Sequence, residues 1–283
     1  MNPRRGEQGY AVVAAVAGIA VFAMMAVTLV QSSRTTLTVA AAEVGQAKAA
    51  AAADAGCALA LDGLLARDRA NRWSIDGRVR TVSFDDTLLR IHIEDERGKV
   101  PLNLLDEETA ERLVESAGLG VGERARIAEE SLLDWTDNDE DPRPSGAEND
   151  YYRARGIRPP NGPLESVDEL SQIRGFDPAV VERIRSFVTV NFGIGGFDAR
   201  FAQPQAIGVM LGGGRDSPAV IARQRELNGQ RVAIELGENI DLTGRPLTIV
   251  VEATRIDGAR AVRRMVIELT GSDVRPYIVR SFG

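Results

Sequence analysis

From Ala11 to Val30 every position is apolar or small except Thr28, and none is charged. At about 1.5 Å per residue such a run reaches about 30 Å, the thickness of a bilayer's hydrocarbon core. Only a helix satisfies its own backbone in lipid, so the pattern predicts a transmembrane helix over 10–32. Arg4 and Arg5 precede it, which by the positive-inside rule keeps the N-terminus cytoplasmic and the rest of the chain outside. A cleaved secretory signal is the competing reading, with Ala40 to Ala42 as its cleavage site. Its apolar run is normally about 7–15 residues, shorter than this one.

Helical spacing continues past the apolar run. Between Gln31 and Ala66 the chain is rich in alanine, has no proline, and repeats Val39, Ala42, Ala49, Ala53, Leu61 and Leu64 along one stripe. Alanine is the best helix former, so one rod is expected from Tyr10 to about Ala66. Half of it would lie in the membrane, and half would pack its stripe on the exported domain. The period then drops to two. Arg78–Phe84 and Leu88–Glu94 read as a hairpin turning at Asp85-Asp86, with further strands at Val232–Leu236, Leu247–Ile256, Ala261–Leu269 and Tyr277–Phe282. Between them the signals are helical. Asp106 caps a helix ending before Gly118, a second runs from about Glu123 to Trp135, and Ser217-Pro218 starts another to about Leu227. Ser166 with Glu169 forms a capping box, Asp177-Pro178 is a second N-cap, and Leu170, Ile173, Phe176, Val180 and Ile184 supply a buried face.

Composition narrows the chemistry. A net charge of −7 argues against a nucleic-acid partner. Cys57 is the only cysteine and His92 the only histidine, which excludes an internal disulfide and any multi-histidine zinc site. Lys48 and Lys99 are the only lysines in an arginine-rich set of basic residues. Gly212-Gly213-Gly214 lacks the Lys-Ser/Thr of a phosphate loop, and no Gly-x-Ser-x-Gly elbow is present. His92 sits in an alternating strand and Cys57 on the long helix, both structural positions. No enzyme is expected.

One stretch points to a metal. From Glu129 to Asp150 there are nine carboxylates and one basic residue, Arg143. Asp137, Asp139 and Asp141 alternate, which lets a tight loop converge its carboxylates, and Glu148 occupies the twelfth position counted from Asp137. A calcium loop of the EF-hand kind places its bidentate glutamate there. Its sixth position is Pro142, where that loop requires glycine. Oxygen-only ligands suit a hard cation, and an exported compartment favours calcium. The alternative is a solvated acidic loop.

The leader Arg4-Arg5-Gly6-Glu7-Gln8-Gly9, followed by Tyr10-Ala11-Val12-Val13, resembles the start of type IV pilins and pseudopilins. The resemblance implies cleavage by a prepilin peptidase after Gly9 and N-methylation of Tyr10. Most members carry glutamate at the fifth mature position; here that position is Ala14. The departure, with the run from Leu133-Asp134-Trp135-Thr136-Asp137-Asn138-Asp139-Glu140-Asp141-Pro142 on to Tyr151-Tyr152, and the later Pro163-Leu164-Glu165-Ser166-Val167-Asp168-Glu169-Leu170 with Ile173-Arg174-Gly175, resembles the K-type minor pseudopilins of type II secretion systems. A buried carboxylate without its amine costs several kcal/mol, so a subunit with none above it does better without one.

That likeness implies an α+β fold: a pilin-like long N-terminal helix on an antiparallel sheet, interrupted by a large, mostly helical insertion. The expected boundaries are 1–9 for the leader, 10–32 for the membrane helix, 33–100 for the pilin-like helix and first strands, 101–187 for the insertion with its acidic loop, and 188–283 for the C-terminal strands. It also implies bound calcium, a place at the pseudopilus tip, and location in the bacterial inner membrane with a periplasmic C-terminal domain. The implied partners are the I- and J-type minor pseudopilins, prepilin peptidase and the inner-membrane assembly platform. The competing class is an inner-membrane-anchored periplasmic calcium-binding or adhesion module, and a more distant one an anchored metal hydrolase. The hairpin from the Ser166 cap to Ile184 also looks like a helix-hairpin-helix. There Asp177 puts a negative charge where a DNA phosphate would sit, so the hairpin reads as packing and not as a nucleic-acid site.

Overall fold

The computed structural model describes residues 7–68, 71–75, 78–212 and 242–283. Helix α1 runs unbroken from Glu7 to Leu65, 59 residues or about 88 Å at 1.5 Å rise. Its stretch Val12–Leu29 is long and apolar enough to cross a membrane, and none of it is buried. Further on, Ala49, Ala52, Ala53, Cys57, Ala60 and Leu64 form a buried stripe at helical spacing.

The sheet beneath that stripe is antiparallel, in the order β1-β2-β5-β6-β7. Strands β1 (Arg80–Phe84) and β2 (Thr87–Asp95) form a hairpin, with Asp85 at φ 47 in the left-handed conformation that the tight turn needs. Along β2 the residues from Thr87 to Asp95 are buried at every second position, so Leu89, Ile91 and Ile93 face α1. Strand β5 (Pro246–Arg255) pairs with β2 from Thr87↔Arg255 to Asp95↔Leu247, and adds Ile249, Val251 and Ala253 to the same core. Strands β6 (Arg260–Leu269) and β7 (Tyr277–Phe282) complete it. The helix lies close to the sheet because its contact residues are small. A Cβ added at Gly56 would come within 2.6 Å of Val251 Cγ1.

The chain leaves the sheet at Asp95 and re-enters it at Pro246. On the way, β3 (Val100–Pro101) pairs in parallel with β4 (Val188–Thr189), and the Val100 N–H donates to Phe187 O at 2.8 Å. Between these two short strands lie α2 (Glu107–Val114, capped by Asp106), a wide turn broken at Gly118, α3 (Glu123–Thr136), the acidic loop and α4 (Asn149–Arg153). A 3-10 segment, Val167–Gln172, and α5 (Pro178–Ile184, capped by Asp177) follow. Helix α6 (Pro204–Leu211) packs back onto them. These elements share a second core, with Leu113, Leu132, Trp135, Tyr152, Leu170 and Ile184 at its centre.

The architecture is therefore α+β, a long N-terminal helix on an antiparallel sheet with a mostly helical region inserted between two neighbouring strands. Several details differ from expectation. The capping box at Ser166 and Glu169 starts a 3-10 segment and not an α-helix, because Ile173 is already extended and Gly175 turns with φ 95. Helices α4 and α6 were not anticipated, and α6 belongs to the helical core although the sequence reading assigned 188–283 to the strands. The helix expected at Ser217–Leu227 and the strand at Val232–Leu236 lie outside the described residues.

Candidate functional site

The acidic loop begins where α3 ends. Asp134 falls in the buried run Ser131–Trp135 on α3, and its carboxylate is shut from solvent. Arg143 answers it. The guanidinium NH1 donates to Asp134 Oδ1 at 2.6 Å and to Asp137 Oδ2 at 2.7 Å, while the Arg143 backbone N–H donates to Asp134 Oδ2 at 3.2 Å. Burial raises the Asp134 pKa despite Arg143. Gly146 must pass this pair closely, since a Cβ there would lie 1.9 Å from Asp134 Oδ2.

Arg143 uses one oxygen of Asp137 and leaves the other, Oδ1, buried without a partner. Asp137, Asp139 and Glu148 each bring a carboxylate oxygen to a common point, all within 4.8 Å of one another. Oxygens that share one calcium ion at about 2.3–2.6 Å lie no more than about 5 Å apart, so the spacing suits that ion. Glu148 is the most informative member. It stands at the N-cap of α4, yet its side chain caps nothing, and both its oxygens are buried without a hydrogen bond. A buried carboxylate left unpaired is costly, and a cation supplies what the protein does not. Burial, then the charges of Asp134, Asp137 and Asp139, push its carboxyl up to about 7. Asn161 closes the loop from the far side, its Nδ2 donating to Asp139 O at 2.6 Å, and its own Oδ1 is buried and unpartnered.

Asp141, the third of the alternating aspartates, is not in the group. Its backbone N–H donates to Asp139 Oδ1 at 2.9 Å, and this local turn carries its side chain out to solvent before Pro142. Asp134 and Arg143 were not singled out as site residues from sequence. The available signal was an aspartate between Leu133 and Trp135, inside the buried face of a helix. Gly9 and Tyr10 lie within α1, and Ala14 is exposed on it. His92 is half-buried on β2 and meets Glu94 at 3.2 Å, and Cys57 is buried against the sheet.

Comparison with known proteins adds to this geometry. Residues 93–192 match the family model described as type II secretion system (T2SS), protein K. Those residues take in the end of β2, the helical region up to β4 and the acidic loop, but not α6. A curated relative, the type II secretion system protein K of Klebsiella pneumoniae, is 32% identical over 134 residues, which cover 42% of this chain and 40% of that protein. The chain is also similar in fold to a chain of the GspK-GspI-GspJ complex from the enterotoxigenic Escherichia coli type 2 secretion system. The TM-score is 0.56 at 16% identity, covering 89% of this chain and 98% of that one. Over residues 93–192 the chain is thus similar to protein K of type II secretion systems, and the fold around that region is similar to the solved chain.

Proposed function

We propose that the chain is a minor pseudopilin that caps or initiates the pseudopilus from its tip, for export of folded proteins across the outer membrane. The observation that carries this reading is α1, a single helix that passes from an exposed apolar stretch at Val12–Leu29 directly into the core of the sheet. Such a helix anchors the subunit in a membrane and transmits its position to the folded domain without a hinge. The domain match over 93–192 supports the K-type assignment. The resemblance of one solved neighbour, itself part of a GspK-GspI-GspJ assembly, supports I- and J-type subunits as partners.

In this reading prepilin peptidase cuts after Gly9 and Tyr10 becomes the methylated N-terminus. The domain faces the periplasm and the inner-membrane platform receives the anchor. Ala14 has no carboxylate to offer a neighbour's amine, which suits a subunit with nothing above it. Calcium, held by Asp137, Asp139 and Glu148, acts as a structural ion: it offsets the repulsion among these carboxylates and fixes the loop between α3 and α4.

Co-expression of the full chain with a prepilin peptidase, followed by mass spectrometry of the N-terminus, tests the reading. A start at N-methylated Tyr10 supports it. Retention of residues 1–9 removes the filament role and leaves an anchored cation-binding domain.

A further inference from the structure

A cavity of about 530 Å³ opens between the start of α3, the end of α4 and the hairpin around Gly175. Arg124, Arg155 and Arg174 all line it. In a chain with more acids than bases, arginines normally find carboxylates. Among the described residues none of these three lies within ion-pair distance of one, and the Arg124 side chain makes no hydrogen bond. Arg155 and Arg174 instead stack on Tyr151, their guanidinium carbons 3.8 and 4.8 Å from its ring centre. Stacking leaves in-plane N–H groups free to point outwards. Arg155 spends one donor on Tyr151 O, and Arg174 spends one on Gly146 O at 3.0 Å and Ser145 O at 3.4 Å. The single acid of the lining, Asp177, is already occupied by the Val180 N–H at 2.8 Å. Ile127 and Phe176 contribute apolar wall.

We propose that this cavity is a docking pocket for an acidic side chain on a peptide segment of a partner protein. A planar carboxylate matches the guanidinium fork in two parallel hydrogen bonds, which a point charge does not. The apolar wall and the Tyr151 ring accommodate the side chains flanking it. A long polyanion is the poorer fit, because the net charge of −7 repels it at a distance and three arginines are too few to reverse that field. The proposal stands on the cavity alone and does not require the tip role.

The test uses the full chain in detergent micelles and a fluorescein-labelled hexapeptide of alternating leucine and glutamate, with both ends blocked. Fluorescence anisotropy is expected to show saturable binding, weakened about ten-fold or more when glutamine replaces glutamate. The double variant R124Q/R155Q should lose binding to a similar degree with an unchanged melting temperature. R124Q alone, at a side chain with no partner, should lose part of it. Arg126→Gln, on the same helix but outside the cavity, should bind as the parent does. Absence of saturable binding, equal binding of the glutamine peptide, or indifference to R124Q overturns the proposal. So does displacement by equimolar inorganic phosphate, which would make the cavity a simple anion site.

Discussion

Lys99 Nζ and Glu96 Oε1 meet at 2.6 Å in a site where both side chains are buried. The same ammonium reaches Glu94 Oε2 at 2.8 Å, and the Glu96 carboxylate also accepts hydrogen bonds from Thr248 Oγ1 at 2.6 Å and from Thr189 Oγ1. Thr248 lies on β5 and Thr189 on β4, so one carboxylate ties the sheet to the base of the helical region. Removing one partner of a buried pair leaves an uncompensated charge, at a cost of about 3–5 kcal/mol. Lys99→Met is therefore expected to destabilise the chain by about 3 kcal/mol in urea unfolding. The double variant Lys99→Met/Glu96→Gln should lose less than the two single losses added together. Strict additivity would mean that the pair is not coupled.

The acidic loop makes a prediction whose sign depends on pH. Burial and the neighbouring carboxylates raise Glu148 to about 7, above its unfolded value. A raised carboxyl favours the folded state while protonated, and that contribution is lost as pH rises through about 7. A cation needs the charged form. In chelator, stability should fall between pH 5 and pH 8, and the gain in melting temperature from added calcium should grow over the same interval. Glu148→Gln should remove both responses. An equal calcium shift at pH 5.5 and pH 8 would remove this assignment of Glu148.

Much of the scaffold was legible because periodicity is local. The alternation of Leu89, Ile91 and Ile93 marks β2 to within a residue or two, and the alanine run before Ala66 marks α1. Asp106, Ser166 and Asp177 cap where expected, since a cap needs only its own next three residues. What the pattern does not carry is distance in sequence. The pairing of His92 with Val250 across the whole insertion follows from packing two cores together, not from any local signal. Buried charge has the same limit: Glu96 meets Thr189 on β4 and Thr248 on β5, both far away in sequence. In the acidic loop the alternating aspartates were visible. That Asp141 turns outward while Asp134 and Arg143 turn inward depends on a local turn and on burial, which spacing does not encode.

The contact between α1 and the sheet can be tested at two glycines. A Cβ at Gly56 meets Val251 Cγ1 at 2.6 Å, and valine on a strand has little freedom to yield. Overpacking costs about 1–3 kcal/mol, against a helix-propensity gain of about 1 kcal/mol from replacing glycine by alanine. Gly56→Ala should therefore be net destabilising. At Gly45 the nearest atom is the Asp257 Oδ2 at 3.1 Å, the end of an exposed side chain that pairs with Arg255 at the surface and need give only a few tenths of an ångström. Gly45→Ala should be neutral or stabilising. Equal effects at the two positions in thermal melts would mean that the helix does not sit this close to β5.

Gly146 tests whether the Asp134–Arg143 pair shapes the carboxylate group. An added Cβ would fall 1.9 Å from Asp134 Oδ2, too close for the pair to stay in place. Displacing Asp134 frees Arg143 from one of its two carboxylates, and with it the contact that fixes Asp137 Oδ2. Asp137 and Glu148 would then no longer present their oxygens to one point. Gly146→Ala should therefore abolish the calcium-dependent rise in melting temperature. Gly162 belongs to the next stretch of chain, where an added Cβ meets nothing nearer than Pro160 O at 3.8 Å, so Gly162→Ala should keep the full rise. If both variants keep it, the ion is held without the geometry that Asp134 and Arg143 impose. If both lose it, the loop is sensitive to any added methyl group and the specific role of the pair falls.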